Sequence, residues 1–359
     1  MILVLRALGV GDLATAVPAL RGLRAAHPGR ELALAAPAWL APLVDLVGGV
    51  DRLVPADGLD ALRVPGLPPD PAAPRVAGSP PGPADGPAAP RVPGPPPDLA
   101  VNLHGRGPQS HRALAATRPA RLLAFANPDA GHLDGPDWRD DEHEVDRWCR
   151  LLAWYGIPAD RADLALRRPA PGRTPPGVTV VHPGSKVAVK RWPARRFAAV
   201  ARELAGRGHR VVVTGSADER ALARSVASAA NLAPGAVLAG RTDLGDLAAV
   251  VAYARLVVSG DTGVAHLATG YGTPSVVLFG PVPPARWGPP PDRPWHRALW
   301  AGARPADPGP AAGGPAPAGV RPGTDGVRTD PMAALGVEEV LAAVDEAERA
   351  VRISGAVTA

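Results

Sequence analysis

Apolar residues along this chain fall into short β-like runs separated by longer stretches with helical spacing, and the alternation occurs twice. In the first half the pattern predicts strands at 2–5, 31–35, 99–103 and 121–125, with helices at 13–26, 38–47, 109–116 and 142–155. The second half restarts with strands at 178–181, 210–213, 236–238, 256–259 and 275–279. Its helices are expected at 194–205, 217–229, 244–254 and 264–269. Repeated strand and helix alternation of this kind builds a parallel sheet, so the pattern predicts an α/β protein with two sheets.

Four prolines between 167 and 177 (Pro169, Pro171, Pro175 and Pro176) prevent regular structure and mark a linker. The expected organisation is therefore a first domain over 1–168, a linker over 169–177 and a second domain over 178–335. Two segments, about 64–97 and 303–330, are so rich in Pro, Gly and Ala that they read as insertions, unable to offset the cost of ordering them. A last amphipathic helix over 337–351, with Val337, Val340, Leu341 and Val344 on one face, opens the terminal segment 336–359.

A length of 359 residues agrees with two domains, because single cores rarely grow past about 250 to 300 residues. No apolar stretch approaches the roughly 18 to 20 residues of a membrane span. The opening Met1-Ile2-Leu3-Val4-Leu5-Arg6 reads as a first strand rather than a signal peptide, which leads to an expectation of a cytoplasmic protein. The single cysteine, Cys149, excludes an internal disulfide and reads as a structural thiol. The net charge of +5 comes almost entirely from scattered Arg, with no dense basic run interleaved with aromatics, so no nucleic-acid partner is expected. Both lysines of the chain, Lys186 and Lys190, stand within five residues of each other, which hints at a required ammonium group.

Three segments could carry chemistry. In the first, Arg6, Gly9, Gly11 and Asp12 lie where a strand turns into a helix, the place where open parallel sheets bind ligands. Asp12 is open between two roles, capping the helix and acting as a general base. The second runs from His182 to Pro193 and carries Ser185, Lys186, Lys190 and Arg191 beside a strand's carboxyl end, the outline of an anion site; the alternative is a solvated loop anchored by Trp192. In the third, Asp261-Thr262-Gly263 precedes a helix whose first amides would face a phosphate, and His266 follows one turn later, either turned to the ligand or structural. The chain has no Asp-x-Asp pair and no zinc spacing of His and Cys, so no metal is expected.

In this order and separation, the three segments resemble the ADP-heptose:lipopolysaccharide heptosyltransferases, glycosyltransferase family 9. The resemblance also covers 98–105, the run 215–219 and Leu278-Phe279-Gly280-Pro281. It implies a GT-B fold, two Rossmann-like domains facing across a cleft, with the acceptor on the first domain and the nucleotide sugar on the second. It implies a metal-independent transfer with inversion, needing no cofactor beyond the nucleotide-diphosphate sugar, with ADP-heptose as leading donor and a cell-envelope glycan or glycolipid as acceptor. By matched position it makes Asp12 the base and Lys190 the group that meets the departing diphosphate. Glu219 becomes the ribose carboxylate, and Thr262, Gly263 and His266 the diphosphate and sugar contacts. Asp261 is expected to bind the following amides and a sugar hydroxyl. A monomer is expected, with room for peripheral contact at the inner face of the membrane. A nucleotide-sugar epimerase and a non-catalytic nucleotide-sugar binding protein are the competing readings. Val282 and Pro283 depart from the polar residues the family carries after Gly-Pro.

Overall fold

Ile-Leu-Val-Leu at 2–5 is apolar at every position because both faces of its strand are covered, the mark of a central parallel strand. The computed structural model describes residues 1–59, 95–303 and 331–355. In it β1 (Ile2–Leu5) lies between β2 (Leu32–Ala36) and β4 (Leu99–Asn102), with β3 (Arg52–Pro55) and β5 (Arg121–Leu123) outside them. All neighbours are parallel and the order is β3-β2-β1-β4-β5. Helices α1 (Val10–Thr15), α2 (Val17–Ala26), α3 (Ala41–Val47), α4 (Gln109–Ala115) and α5 (Glu144–Trp154) accompany this sheet.

The helix expected over 13–26 is divided at Ala16, because Pro18 has no N–H to return to Ala14 and instead suits the first turn of a new helix. Strand β3 is absent from the sequence expectation: it is a four-residue edge strand that opens on a half-exposed Arg and closes on Pro55, which only an edge tolerates.

The second sheet has β6 (Thr179–His182), β7 (Val211–Val213), β8 (Leu256–Gly260), β9 (Ser275–Phe279) and β10 (His296–Trp300), in the order β10-β9-β8-β6-β7 and again parallel. Its helices are α6 (Ala194–Gly206), α7 (Arg220–Ala229), α9 (Gly263–Tyr271), the short α10 (Pro284–Trp287) and the long α11 (Val337–Ser354), while α8 (Leu244–Ala252) lies in the chain between β7 and β8. The strand expected at 236–238 does not form. A 3-10 turn at Pro234–Ala236 uses up its beginning, and what remains is one parallel bridge, Val213 with Val237. Counting that bridge, the order outward from it becomes the six-position order of a dinucleotide-binding sheet. Strand β10 was not expected, since His296-Arg297-Ala298-Leu299-Trp300 lacks the β-branched run that betrays its neighbours.

Chain contacts divide the protein into two compact units, Met1–Ala170 with Leu244–Ala249, and Pro171–Asp243 with Val250–Ala359. The C-terminal α11 belongs to the second unit's core through Val340, Ala343, Val344 and Ala347. Trp192, 2% exposed, sits in the same core and donates from Nε1 to the Leu335 carbonyl at 3.1 Å. The insertions expected at 64–97 and 303–330 lie, apart from their edges, outside the described residues. No helix among the described residues is long and apolar enough to cross a membrane.

Candidate functional site

In each sheet the strand order reverses direction beside the first strand of the unit, between β1 and β4 and between β6 and β8. Loops leaving the carboxyl ends of strands at such a switch point form the ligand crevice of doubly wound sheets. All three segments singled out in the sequence leave one of these strands.

On the first unit, Gly9 is the N-cap of α1 and Asp12 is the helix's third residue, not its N-cap. Asp12 Oδ2 accepts the Gly9 N–H at 3.0 Å, the backward half of a capping box, while its side chain keeps 29% exposure. Asp12 therefore steadies the turn without being the cap residue, and its other oxygen, Oδ1, lies 3.5 Å from Arg6 Nη2. Arg6, assigned to the acceptor-side loop, is 1% exposed, and its guanidinium is spent inside the protein. Nε donates to the Asp12 carbonyl at 3.0 Å, Nη1 to the Leu103 carbonyl, and Nη2 to Glu144 Oε1 at 2.9 Å, with Thr15 Oγ1 at 3.4 Å and Asp12 Oδ1 at 3.5 Å. Its Cζ lies 4.6 Å from the centre of the Trp148 ring, a cation–π contact.

The loop after β4 stands beside that after β1 because Leu5 and Asn102 are in register. Asn102, fully buried, organises it: its amide donates to Ser110 Oγ at 2.9 Å and to the Gly105 carbonyl at 3.2 Å, and its Oδ1 accepts the His104 N–H at 3.0 Å. The His104 imidazole is held down to about 4, first by burial and then by the Arg6 charge, with Asp12 acting in the opposite sense. It is neutral near pH 7, and its Nδ1 is buried without a hydrogen-bond partner among the described residues. Neither Asn102 nor His104 was singled out from sequence as a site residue, although both lie in a segment that carried the family resemblance.

On the second unit, Lys190 closes a 3-10 turn (Ala188–Lys190) after β6 and donates from Nζ to Asp261 Oδ2 at 2.6 Å. Asp261, 7% exposed, ends the loop from β8, so the register of β6 with β8 joins the second and third segments. Ser185 is buried, its carbonyl accepting Arg191 Nε at 2.7 Å and its Oγ accepting the Val187 N–H at 3.3 Å. Lys186 is exposed. Thr262 is the N-cap of α9, but its side chain makes no capping bond and Oγ1 has no partner among the described residues. The first two amides of α9, those of Gly263 and Val264, have no carbonyl earlier in the helix to bind, while the Ala265 N–H meets the Thr262 carbonyl at 3.0 Å. His266 lies on the next turn, its ring 5.8 Å from that of Trp287.

Glu219 is the N-cap residue of α7, and its Oε2 accepts the Ser216 N–H at 2.9 Å. Its carboxylate is laid against Gly184, where a Cβ would stand 2.2 Å from Cδ. Beneath it His182 pairs through Nδ1 with Thr214 Oγ1 at 3.0 Å; burial lowers its pKa, and Glu219 partly opposes that shift. Burial also pushes the Cys149 thiol up to about 12, which removes it as a nucleophile at neutral pH. No group of three or more His, Cys, Asp or Glu among the described residues could hold a metal ion.

Comparison with known proteins sets similarities beside this geometry. The model of glycosyltransferase family 9 (heptosyltransferase) matches residues 137–304. Lipopolysaccharide heptosyltransferase 1 of Pseudomonas aeruginosa is 35% identical over 150 residues, 40% of this chain and 41% of that protein. Lipopolysaccharide heptosyltransferase 3 of Escherichia coli is 32% identical over 128 residues, 34% of this chain and 36% of that protein. The matched stretches thus span little more than a third of these curated relatives. Among solved structures, the family 9 glycosyl transferase of Veillonella parvula superposes with a TM-score of 0.70 at 19% identity, covering 97% of both chains. E. coli ADP-heptose lps heptosyltransferase II follows at 0.65 and 19%, covering 97% of this chain and 98% of that one. The fold is that of these GT-B proteins.

Proposed function

With residues 137–304 matching the model of glycosyltransferase family 9, we propose that the protein is an inverting, metal-independent glycosyltransferase. It moves a sugar, heptose from ADP-heptose as the leading donor, onto a glycan or glycolipid of the cell envelope. The observation that carries this reading is the convergence at the β6–β8 switch point: an ammonium 2.6 Å from a buried carboxylate, a Thr262 hydroxyl without a partner among the described residues, and the Gly263 and Val264 amides that open α9. Such a set meets a diphosphate with charge and directed N–H groups and stabilises it further as it departs. Asp261 is suited to accept a sugar hydroxyl once Lys190 turns to the diphosphate.

In the proposed reaction the acceptor hydroxyl attacks the anomeric carbon, Asp12 takes its proton, and the bond to the nucleoside diphosphate breaks with the electron pair leaving on the phosphate oxygen. Positioning supplies most of the acceleration, and a base held in place adds about 10²- to 10⁴-fold. On this reading the protein acts as a monomer, in peripheral contact with the inner face of the membrane where a glycolipid acceptor would lie.

Incubation with ADP-heptose and envelope extract, with release of ADP as the readout, tests this reading. Release that needs the extract and survives a chelator is expected. Strict dependence on added magnesium or manganese would overturn the metal-independent mechanism, and conversion of the donor without acceptor would favour an epimerase. The contact between Gly184 and Glu219 provides a second test. Gly184→Ala forces the carboxylate off its position, and losing a charged hydrogen bond to the ribose weakens ADP binding by about tenfold or more. Unchanged affinity in calorimetry would separate Glu219 from the nucleotide.

A further inference from the structure

Arg6 is a fully buried cation directly under Asp12, and a buried charge needs a counter-charge. Two carboxylates stand around the same Nη2, and they are not equivalent: Glu144 Oε1 is at 2.9 Å, Asp12 Oδ1 at 3.5 Å. Glu144 is itself buried and also holds Arg147 through Oε2 and accepts Trp148 Nε1 at Oε1, 3.1 Å away. Arg147 is buried as well and lies over the Trp138 ring at 4.3 Å. Two guanidiniums and two carboxylates therefore balance, and only Asp12, at the outer edge, reaches solvent with 29% of its side chain.

We propose that Glu144 is a positioning residue for the base: by taking the short bond to Arg6, it keeps that guanidinium from closing on Asp12 and leaves Asp12 Oδ1 available to an acceptor hydroxyl. The role of Asp12 as base rests on the transfer reading above; the geometric part does not. Without the charge at 144, Arg6 has one carboxylate left, and the attraction that Glu144 now divides falls on Asp12 alone. A carboxylate tied into a tight charge-assisted pair is both less basic and geometrically occupied. The charged and titratable groups around Asp12 are Arg6 from the end of β1, His104 from the loop after β4, and Glu144 with Arg147 from α5. His104 is neutral above about 4 and leaves the balance to the other three.

The test is Glu144→Gln in the full chain, which keeps the shape and the acceptor for Trp148 but removes the charge. Glu144→Gln/Arg147→Gln is its companion, since removing one cation with one anion leaves no extra buried charge to oppose folding. Crystal structures of wild type and variants read the Arg6 Nη2 to Asp12 Oδ1 distance, expected to close to about 2.8 Å. With ADP-heptose and envelope extract, kcat falls about tenfold or more, donor KM is unchanged, and the acid limb of the kcat profile moves to lower pH. A pair still open in both variants, or a kcat profile unmoved in a protein that turns over, would overturn the proposal. If wild type does not turn over at all, the transfer reading fails, and the crystallographic distance still decides what Glu144 does to Asp12.

Discussion

Asp12→Asn lowers transfer by about 10³-fold and leaves the affinity for ADP unchanged. The asparagine is the informative variant because the side-chain oxygen that accepts the Gly9 N–H at 3.0 Å can be retained, so the turn from β1 into α1 keeps its shape. What disappears is the second carboxylate oxygen and the capacity to take a proton. Asp12→Ala would remove the capping contact as well, at about 0.5 to 1 kcal/mol, and mix a local folding effect into the kinetics. Nucleotide affinity is insulated because the groups assigned to the diphosphate are carried by the second unit. Calorimetry with ADP and turnover with envelope extract separate the two. Turnover near the wild-type rate in Asp12→Asn removes the base from the mechanism, and a parallel loss of ADP affinity places Asp12 in the donor site instead.

Lys190→Ala has the second large effect, and the structure gives it two parts. Nζ is 2.6 Å from Asp261 Oδ2, and the Asp261 side chain is only 6% exposed, so truncation leaves a buried carboxylate without its cation. That costs about 1 to 3 kcal/mol, visible as a lower melting temperature before any ligand is added. The other part is catalytic: an ammonium stabilises the departing diphosphate more than the bound donor, so turnover falls about 10²- to 10³-fold while ADP binding weakens less. Lys190→Arg restores the ion pair and much of the stability but only part of the turnover, since a planar fork does not reproduce a compact charge on a flexible stem. If Lys190→Ala melts early yet binds ADP and turns over as wild type, Lys190 is a structural partner of Asp261 and nothing more.

Much of this arrangement was legible in the sequence because its signals are local. Buried parallel strands such as β1 and β8 read as unbroken apolar runs, and the Gly and Asp residues that follow them mark the turns into α1 and α9. What escaped depends on partners far apart in the chain. Glu144 meets Arg6 across 138 residues, and nothing in the surroundings of His143-Glu144-Val145 distinguishes a buried carboxylate from one that merely opens a helix. Lys190 and Asp261 are 71 residues apart; each was recognised alone, but not that they are bonded to each other. Edge strands β3 and β10 were missed because partly exposed Arg52 and Arg297 interrupt the apolar run that marks a central strand. The strand expected at 236–238 fails for the opposite reason, an apolar run whose start is drawn into a turn by Pro234 and Gly235.

The attachment of Trp192 to the Leu335 carbonyl, with Arg196 Nη1 donating to the same oxygen at 2.6 Å, bears on how the protein comes into being on the ribosome. The loop that carries Lys190 ends at Trp192, and Trp192 rests on a segment made more than 130 residues later. Met332, Leu335, Val340 and Val344 complete the wall around it. Early in translation the chain can assemble β1 to β5 and the whole surroundings of Asp12. The lysine loop, by contrast, stays unbraced until the segment from Met332 to Val344 has been made, so the surroundings of Asp12 can order well before those of Lys190.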